Sequence, residues 1–299
     1  MRNVAKTSTL ENKFPLLAVE NNCILSKDAD ITACFEVRLP ELFTVASAEY
    51  EAIHSAWHKA IKTLPDFTVI HKQDWYIKES YTPDLATENQ SFLSKSYQRH
   101  FNERPFLNHY CYLFLTKTTK NRMRMQSNFS SLCKGALIPK EINKETIHRF
   151  MEAVAQFERI VNDSGFVSLR RLSEDDIIGT NEKQGLLEQY MTLSREVGTP
   201  MQDIGLGAEE VRIGNKRLSL HTLSDTDDLP ASVSADTRFE KLSTDRSDCR
   251  LSFVAPVGLL LSCNHIYNQY LFLDNSEDNL QKFEKSARNM HSLARYSRA

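Results

Sequence analysis

The chain has 299 residues, 41% of them hydrophobic and 25% charged, with a formal net charge of -2. That length supports one large domain or two ordinary ones without disulfide or metal staples, and a mean hydropathy of -0.44 argues against membrane and disordered classes. With a pI near 6.5 there is no global pull toward nucleic acid or anionic lipid, so binding to either needs a local patch.

The opening "MRNVAKTSTLENKFPLL" has a basic start but no apolar h-region and no small-residue cleavage site, so a secretory signal is not expected. "FVAPVGLLLSC" (253–263) is the longest apolar stretch. It falls far short of the ~20 residues that cross a bilayer, so no span is predicted. Six cysteines (Cys23, Cys34, Cys111, Cys133, Cys249 and Cys263) lie scattered without CxxC spacing. They read as reduced thiols of a cytosolic protein, most of them core residues.

Strand and helix signals alternate through residues 1–172, the first expected module. "FPLLAVENNCILS" offers two apolar runs around Asn21-Asn22, a hairpin, and the following strand puts Ile31, Ala33, Phe35 and Val37 on one face. Ser47 is expected to cap a helix whose apolar stripe is Tyr50, Ile53, Trp57, Ala60, Ile61 and Leu64, with Pro65 as its stop. "FTVIHKQDWYI" alternates Phe67, Val69, His71, Gln73 and Trp75, which predicts a half-exposed strand and a sheet open on one side. A helix over 89–104 carries Phe92, Leu93, Tyr97 and Phe101, and "LNHYCYLFLTKT" returns as a strand. A long helix is expected from near Pro139 to Gly165, turning Phe150, Val154, Phe157 and Val161 inward, before the strand "FVSLRRL".

The pattern then changes. Residues 173–235 read as an insertion: a helix capped by Ser173 and interrupted by Gly179 and Gly185, then a hairpin turning at Gly214-Asn215 with Val211, Ile213, Leu218 and Leu220 on one face. Residues 224–247 read as a polar loop. Residues 236–299 supply two apolar strands, "CRLSFVAPVGLLL" and "HIYNQYLFL", and a helix capped by Ser276 with Leu280, Phe283, Ala287, Met290 and Ala294 on one side. This last segment is expected to pack back on the first module. The predicted class is α+β: a mostly antiparallel sheet with helices on one face, plus a helical and hairpin insertion. The final helix has no stop signal before Ala299, so the chain either finishes there or has been cut from something longer.

None of the nine glycines opens a P-loop; "GLG" (205–207) and "GNK" (214–216) lead into strand-like sequence, not a helix N-terminus. His109 and Cys111 share a strand face, as do Cys263 and His265, and the four would make a metal site if their strands were neighbours. The spacing lacks CxxC or HxxxH, so core or strand-edge roles lead, and a cysteine nucleophile lacks any local signature of an orienting group. "KTTKNRMRMQSNF" (117–129) brings Lys117, Lys120, Arg122 and Arg124 together with Phe129, a weak single-stranded nucleic-acid footprint beside the simpler reading of a connector or partner-binding loop. The acidic runs "SEDD" and "SDTDD" read as cap and turn chemistry, without EF-hand spacing. No catalytic, cofactor-binding or metal-binding residue is assigned.

Several long blocks, among them "LPELFTVASAEYEAIHSAWHKAIKTLPDF", "HFNERPFLNHYCYLFLTKT", "STDRSDCRLSFVAPVGLLLSCNHIYNQYLFL" and "KFEKSARNMHSLARYSRA", resemble the N-terminal region of the TraG-type conjugative-transposon ATPase of Bacteroidetes, a relative of type IV secretion ATPases. The resemblance runs along essentially the whole chain. It implies a non-catalytic docking and assembly module preceding a RecA-like motor, with ATP and magnesium belonging to the motor alone. The implied partners are other transfer proteins and further copies of the ATPase, at the cytoplasmic face of the inner membrane. A single-stranded nucleic-acid contact domain of the same machinery is the alternative, with Arg122, Arg124 and Phe129 as its first suspects.

Overall fold

The computed structural model describes residues 14–40, 45–81, 91–119, 143–207, 210–222, 225, 227, 236–240, 243–252 and 262–296. The fold is α+β, built on a seven-stranded antiparallel sheet.

The edge hairpin joins β1 (Leu16–Glu20) to β2 (Cys23–Ser26) through Asn21 and Asn22, both with left-handed backbone (φ 53 and 57), as a two-residue primed turn demands. β3 (Ile31–Arg38) pairs with β2, and then with β5 (Phe106–Lys117) from Ile31↔Lys117 to Val37↔Cys111. β4 (Thr68–Glu79) runs the full length of β5, from Thr68↔Lys117 to Glu79↔Phe106. On its other side it takes β12 (His265–Leu273), so residues 236–299 contribute a sheet strand.

One sheet face carries Ile31, Ala33, Phe35 and Val37 of β3 with Leu113 and Leu115 of β5, as the alternation predicts. It is covered by α1 (Ser47–Ile61) and α3 (Lys144–Asp163), which bring Ala60, Phe150, Val154, Phe157 and Val161 inward. The two helices meet where the Trp57 and Phe157 rings pack edge to face at 5.4 Å.

The other face is not open along β4. Gln73 and Trp75 are buried there. Residues 173–192 account for this. β6 (Ser168–Arg171) leads into α4 (Glu174–Ile178) and α5 (Leu186–Thr192), whose Ile177 and Leu186 pack with Trp75, Tyr112, Cys34 and Ile24. The helices are separated where the backbones of Gly179 and Gly185 touch: a Cβ on Gly185 would lie 2.1 Å from the carbonyl carbon of Ile178. The two glycines thus permit a close approach as well as a break. Asp176 completes a capping box with Ser173 and is gripped by Arg170 (2.7 Å) and Lys183.

Three helix starts differ from expectation. α1 is capped at Ala46, whose N–H donates to Glu49 Oε2 at 2.7 Å, so an N3 carboxylate takes the role given to Ser47. α3 begins after the Asn143 cap, whose side chain accepts from Thr146 N–H at 2.8 Å, later than Pro139. In α6 (Ser276–Tyr296) the cap is Asn275, which accepts from Asp278 N–H at 2.9 Å, displacing Ser276 from that role.

A separate three-stranded sheet joins β7 (Ile204–Leu206), β8 (Val211–Ile213) and β9 (Lys216–Leu218), with the expected Val211↔Leu218 register around Gly214. Within the polar stretch, β10 (Asp236–Arg238) pairs with β11 (Arg250–Ser252). Arg122, Arg124, Phe129 and Cys133 lie outside the described residues, as does the apolar run 253–261. Among the described residues no helix is long and apolar enough to cross a membrane.

Candidate functional site

The four His and Cys residues do not converge. β4 separates β5 from β12, and Tyr76 is paired with His109 on one side and His265 on the other. Its ring stacks on both imidazoles, at 4.7 Å and 4.6 Å between centroids, so a phenol ring fills the space a shared metal would need. Cys111 is buried in the sheet core beside Val37, while Cys263 is exposed before β12, its carbonyl accepting from His265 Nδ1 at 2.9 Å. Burial pushes the Cys111 thiol far above its ordinary range, which disfavours the thiolate. Among the described residues no three His, Cys, Asp or Glu side chains are grouped to hold a metal.

The same sheet row holds a polar cluster that the sequence reading missed. Asp74 is 3% exposed; it accepts from Lys72 Nζ and is bonded to His109 Nε2 at 2.9 Å. Burial opposes ionisation of Asp74, but the His109 bond and the Lys72 ammonium outweigh it and hold the carboxyl below its ordinary value. Both partners are aimed at that one carboxylate, so the cluster works as a cross-strand clamp between β4 and β5. On the opposite face His71 stacks between Tyr270 (4.2 Å) and Phe114 (5.2 Å). Asn268 Oδ1 sits 2.8 Å from both His71 Nε2 and Gln73 Nε2, and Gln73 in turn accepts from the Trp75 indole at 2.7 Å.

At one end of the sheet the strands part. β3 leaves β5 after Val37↔Cys111 and continues against β6, whereas β4 and β5 run on as a ribbon to Glu79↔Phe106. A cleft of about 410 Å³ opens in the fork, lined by Glu36–Pro40 and His109–Tyr112. The Arg195 guanidinium lies 3.3 Å over the Tyr110 ring, and Tyr110 donates to Glu79 at 2.6 Å. Burial first, then that bond to Glu79, pushes the Tyr110 hydroxyl up to about 12.

Beyond the ribbon tip stands α2 (Phe92–Asn102), capped by Ser91, whose side chain accepts from Ser94 N–H at 3.2 Å. None of its residues is buried. Phe92 is 82% exposed, Leu93 77% and Tyr97 62%, and the Tyr97 and Phe101 rings touch at 4.5 Å. Tyr81 at the ribbon end leans on Phe101 at 6.1 Å. The helical spacing read from the sequence is thus present, but its apolar stripe faces outward. Lys95, Arg99, His100 and Arg104 accompany that stripe. Among these, Arg99 Nε donates to Glu103 Oε1 at 2.7 Å.

A family model described as a domain of unknown function, B. theta gene description (DUF3875), matches residues 3–55, a span that includes β1 to β3 and the first half of α1. No curated protein matches the chain.

Proposed function

We propose that this chain is a docking and assembly module of a conjugative DNA-transfer ATPase, without a nucleotide-hydrolysing centre of its own. The observation that carries the reading is α2: an amphipathic helix, well capped, whose apolar residues are exposed beside a sheet core that is closed without them. A stripe of that kind is an anchor for another macromolecule. The resemblance of long sequence blocks to TraG-type proteins, and a glycine pattern without a phosphate cradle, support the same assignment. On this reading the sheet is a rigid platform, the β4–β5 ribbon is an arm, and α2 is the contact that meets the transfer apparatus at the inner membrane.

The test is a mating assay with Phe92→Ser and Tyr97→Ser introduced together into the intact gene. Transfer frequency is expected to fall by at least about tenfold, as loss of central aromatic anchors does, with the protein level unchanged. Wild-type transfer would reject α2 as the docking contact. Magnesium-dependent ATP turnover by the purified 299-residue chain would reject the non-catalytic assignment.

A further inference from the structure

The C-terminal helix carries a second exposed stripe with a different spacing. Leu280, Phe283, Ala287, Met290 and Ala294 follow one another at intervals of three, four, three and four. This is the spacing of an a/d seam, kept here over two heptads. Every residue from Leu280 to Ala294 is exposed, with Leu280 at 61%, Phe283 at 73% and Met290 at 68%. In proteins most helical stability comes from packing of the apolar face, and this seam has no cover among the described residues.

We propose that α6 is a self-association element, in which two copies of this chain pair antiparallel through Leu280, Phe283, Ala287 and Met290. The inference rests on the assembly part of the reading above and names the partner as a second copy. Side-chain volume selects the direction. In a parallel pair Phe283 meets Phe283 and Ala287 meets Ala287, which crowds one layer and leaves a void in the next. Reversing one helix sets Phe283 against Ala287 and Leu280 against Met290, so large meets small and the layers match. Charge agrees with this direction. Glu277, Asp278 and Glu284 against Lys282 make the first half acidic, Lys285 lies at the centre of the pairing, and Arg288 and Arg295 make the second half basic without a carboxylate. That asymmetry already suits the helix's own dipole. Between two copies, it attracts when they run in opposite directions and repels when they run the same way.

The test uses the 299-residue chain with Cys263→Ser as background, and separate preparations of Leu280→Cys and Met290→Cys. Sedimentation should find a dimer, and mild oxidation of the mixed preparations should give a disulfide-linked pair absent from the background. Leu280→Cys alone should give almost none, because like positions in the antiparallel pair are separated by about ten residues, or ~15 Å of helix. Phe283→Ser should weaken the dimer by at least about tenfold while leaving the helical circular dichroism of the core in place. A monomer at tens of micromolar, efficient linkage of Leu280→Cys to itself, or a dimer indifferent to Phe283→Ser would each overturn the proposal. None of these outcomes alters the mating result for α2, so the two failures are distinguishable.

Discussion

α3 and α6 are helices of almost equal length with almost the same amphipathic signal, and they have opposite fates. α3 (Lys144–Asp163) presents Phe150, Val154, Phe157 and Val161 to the sheet, and Phe157 is 0% exposed. α6 (Ser276–Tyr296) presents Leu280, Phe283 and Met290 to solvent, and Phe283 is 73% exposed. The comparison teaches that apolar periodicity says a face must be covered, but not by what. The cover depends on where the chain has already placed an apolar surface. After α3 the next strand, β6, returns to the sheet beside β3, which holds the helix down. α6 follows β12, the strand at the sheet margin.

Matched truncations sharpen the contrast most. Phe157→Ala is expected to lower unfolding free energy by about 3–5 kcal/mol, because it removes a fully buried ring from the contact with Trp57. Phe283→Ala should change the stability of a single copy by less than about 0.5 kcal/mol. Denaturant melts at low protein concentration compare the two directly. Comparable losses would mean that α6 belongs to the core after all.

The next effect lies where α4 meets α5. Gly185→Ala places a methyl against the Ile178 carbonyl and should cost about 1–3 kcal/mol through overpacking. Gly165→Ala is its control, because nothing lies within 4 Å of that position; its cost is confined to the left-handed backbone, φ 75. Equal melting shifts for the two variants would refute the close approach.

Titration gives smaller, signed effects. Burial holds the His71 imidazole below its ordinary value of 6.5, against the opposing bond to Asn268. The folded state therefore binds its proton less readily than the unfolded chain, so this contribution is complete above 6.5 and is lost as pH falls through the folded value. Asp74, also depressed, adds a second loss below 3.8. His71→Phe keeps a ring between Phe114 and Tyr270, and Asn268 retains Gln73. It should flatten the upper part of the stability profile while leaving the lower part, and an unchanged slope just below 6.5 would rule out His71 as its source. Asp74→Asn should remove the lower part, at a cost near neutrality of about 1–2 kcal/mol.

What could be read in advance follows from the same physics. The rows of β3 and β5, the inward face of α3, and the Asn21-Asn22 and Gly214-Asn215 turns depend on local periodicity and backbone preference, and they lie where expected. Along β4 the alternation that sequence reading picks out, Val69 to Trp75, marks only one of its two rows. Its other row carries Lys72, Asp74 and Tyr76, and an acid and a base two residues apart on a strand are the signal that would have found the clamp. Burial of the Trp75 side depended on α4 and α5 folding back from a hundred residues downstream, which no local pattern carries. The stripe on α2 was legible as residues, but its exposure was not, because helical spacing is the same for a core face and a docking face.

The most direct measurement is amide hydrogen exchange of the chain with donor inner membranes that carry the transfer apparatus, set against membranes that lack it. The account predicts that residues 92–102 gain protection only with the apparatus, while residues 144–163, already buried against the sheet, exchange alike in both. Equal exchange at residues 92–102 in the two membranes would contradict it.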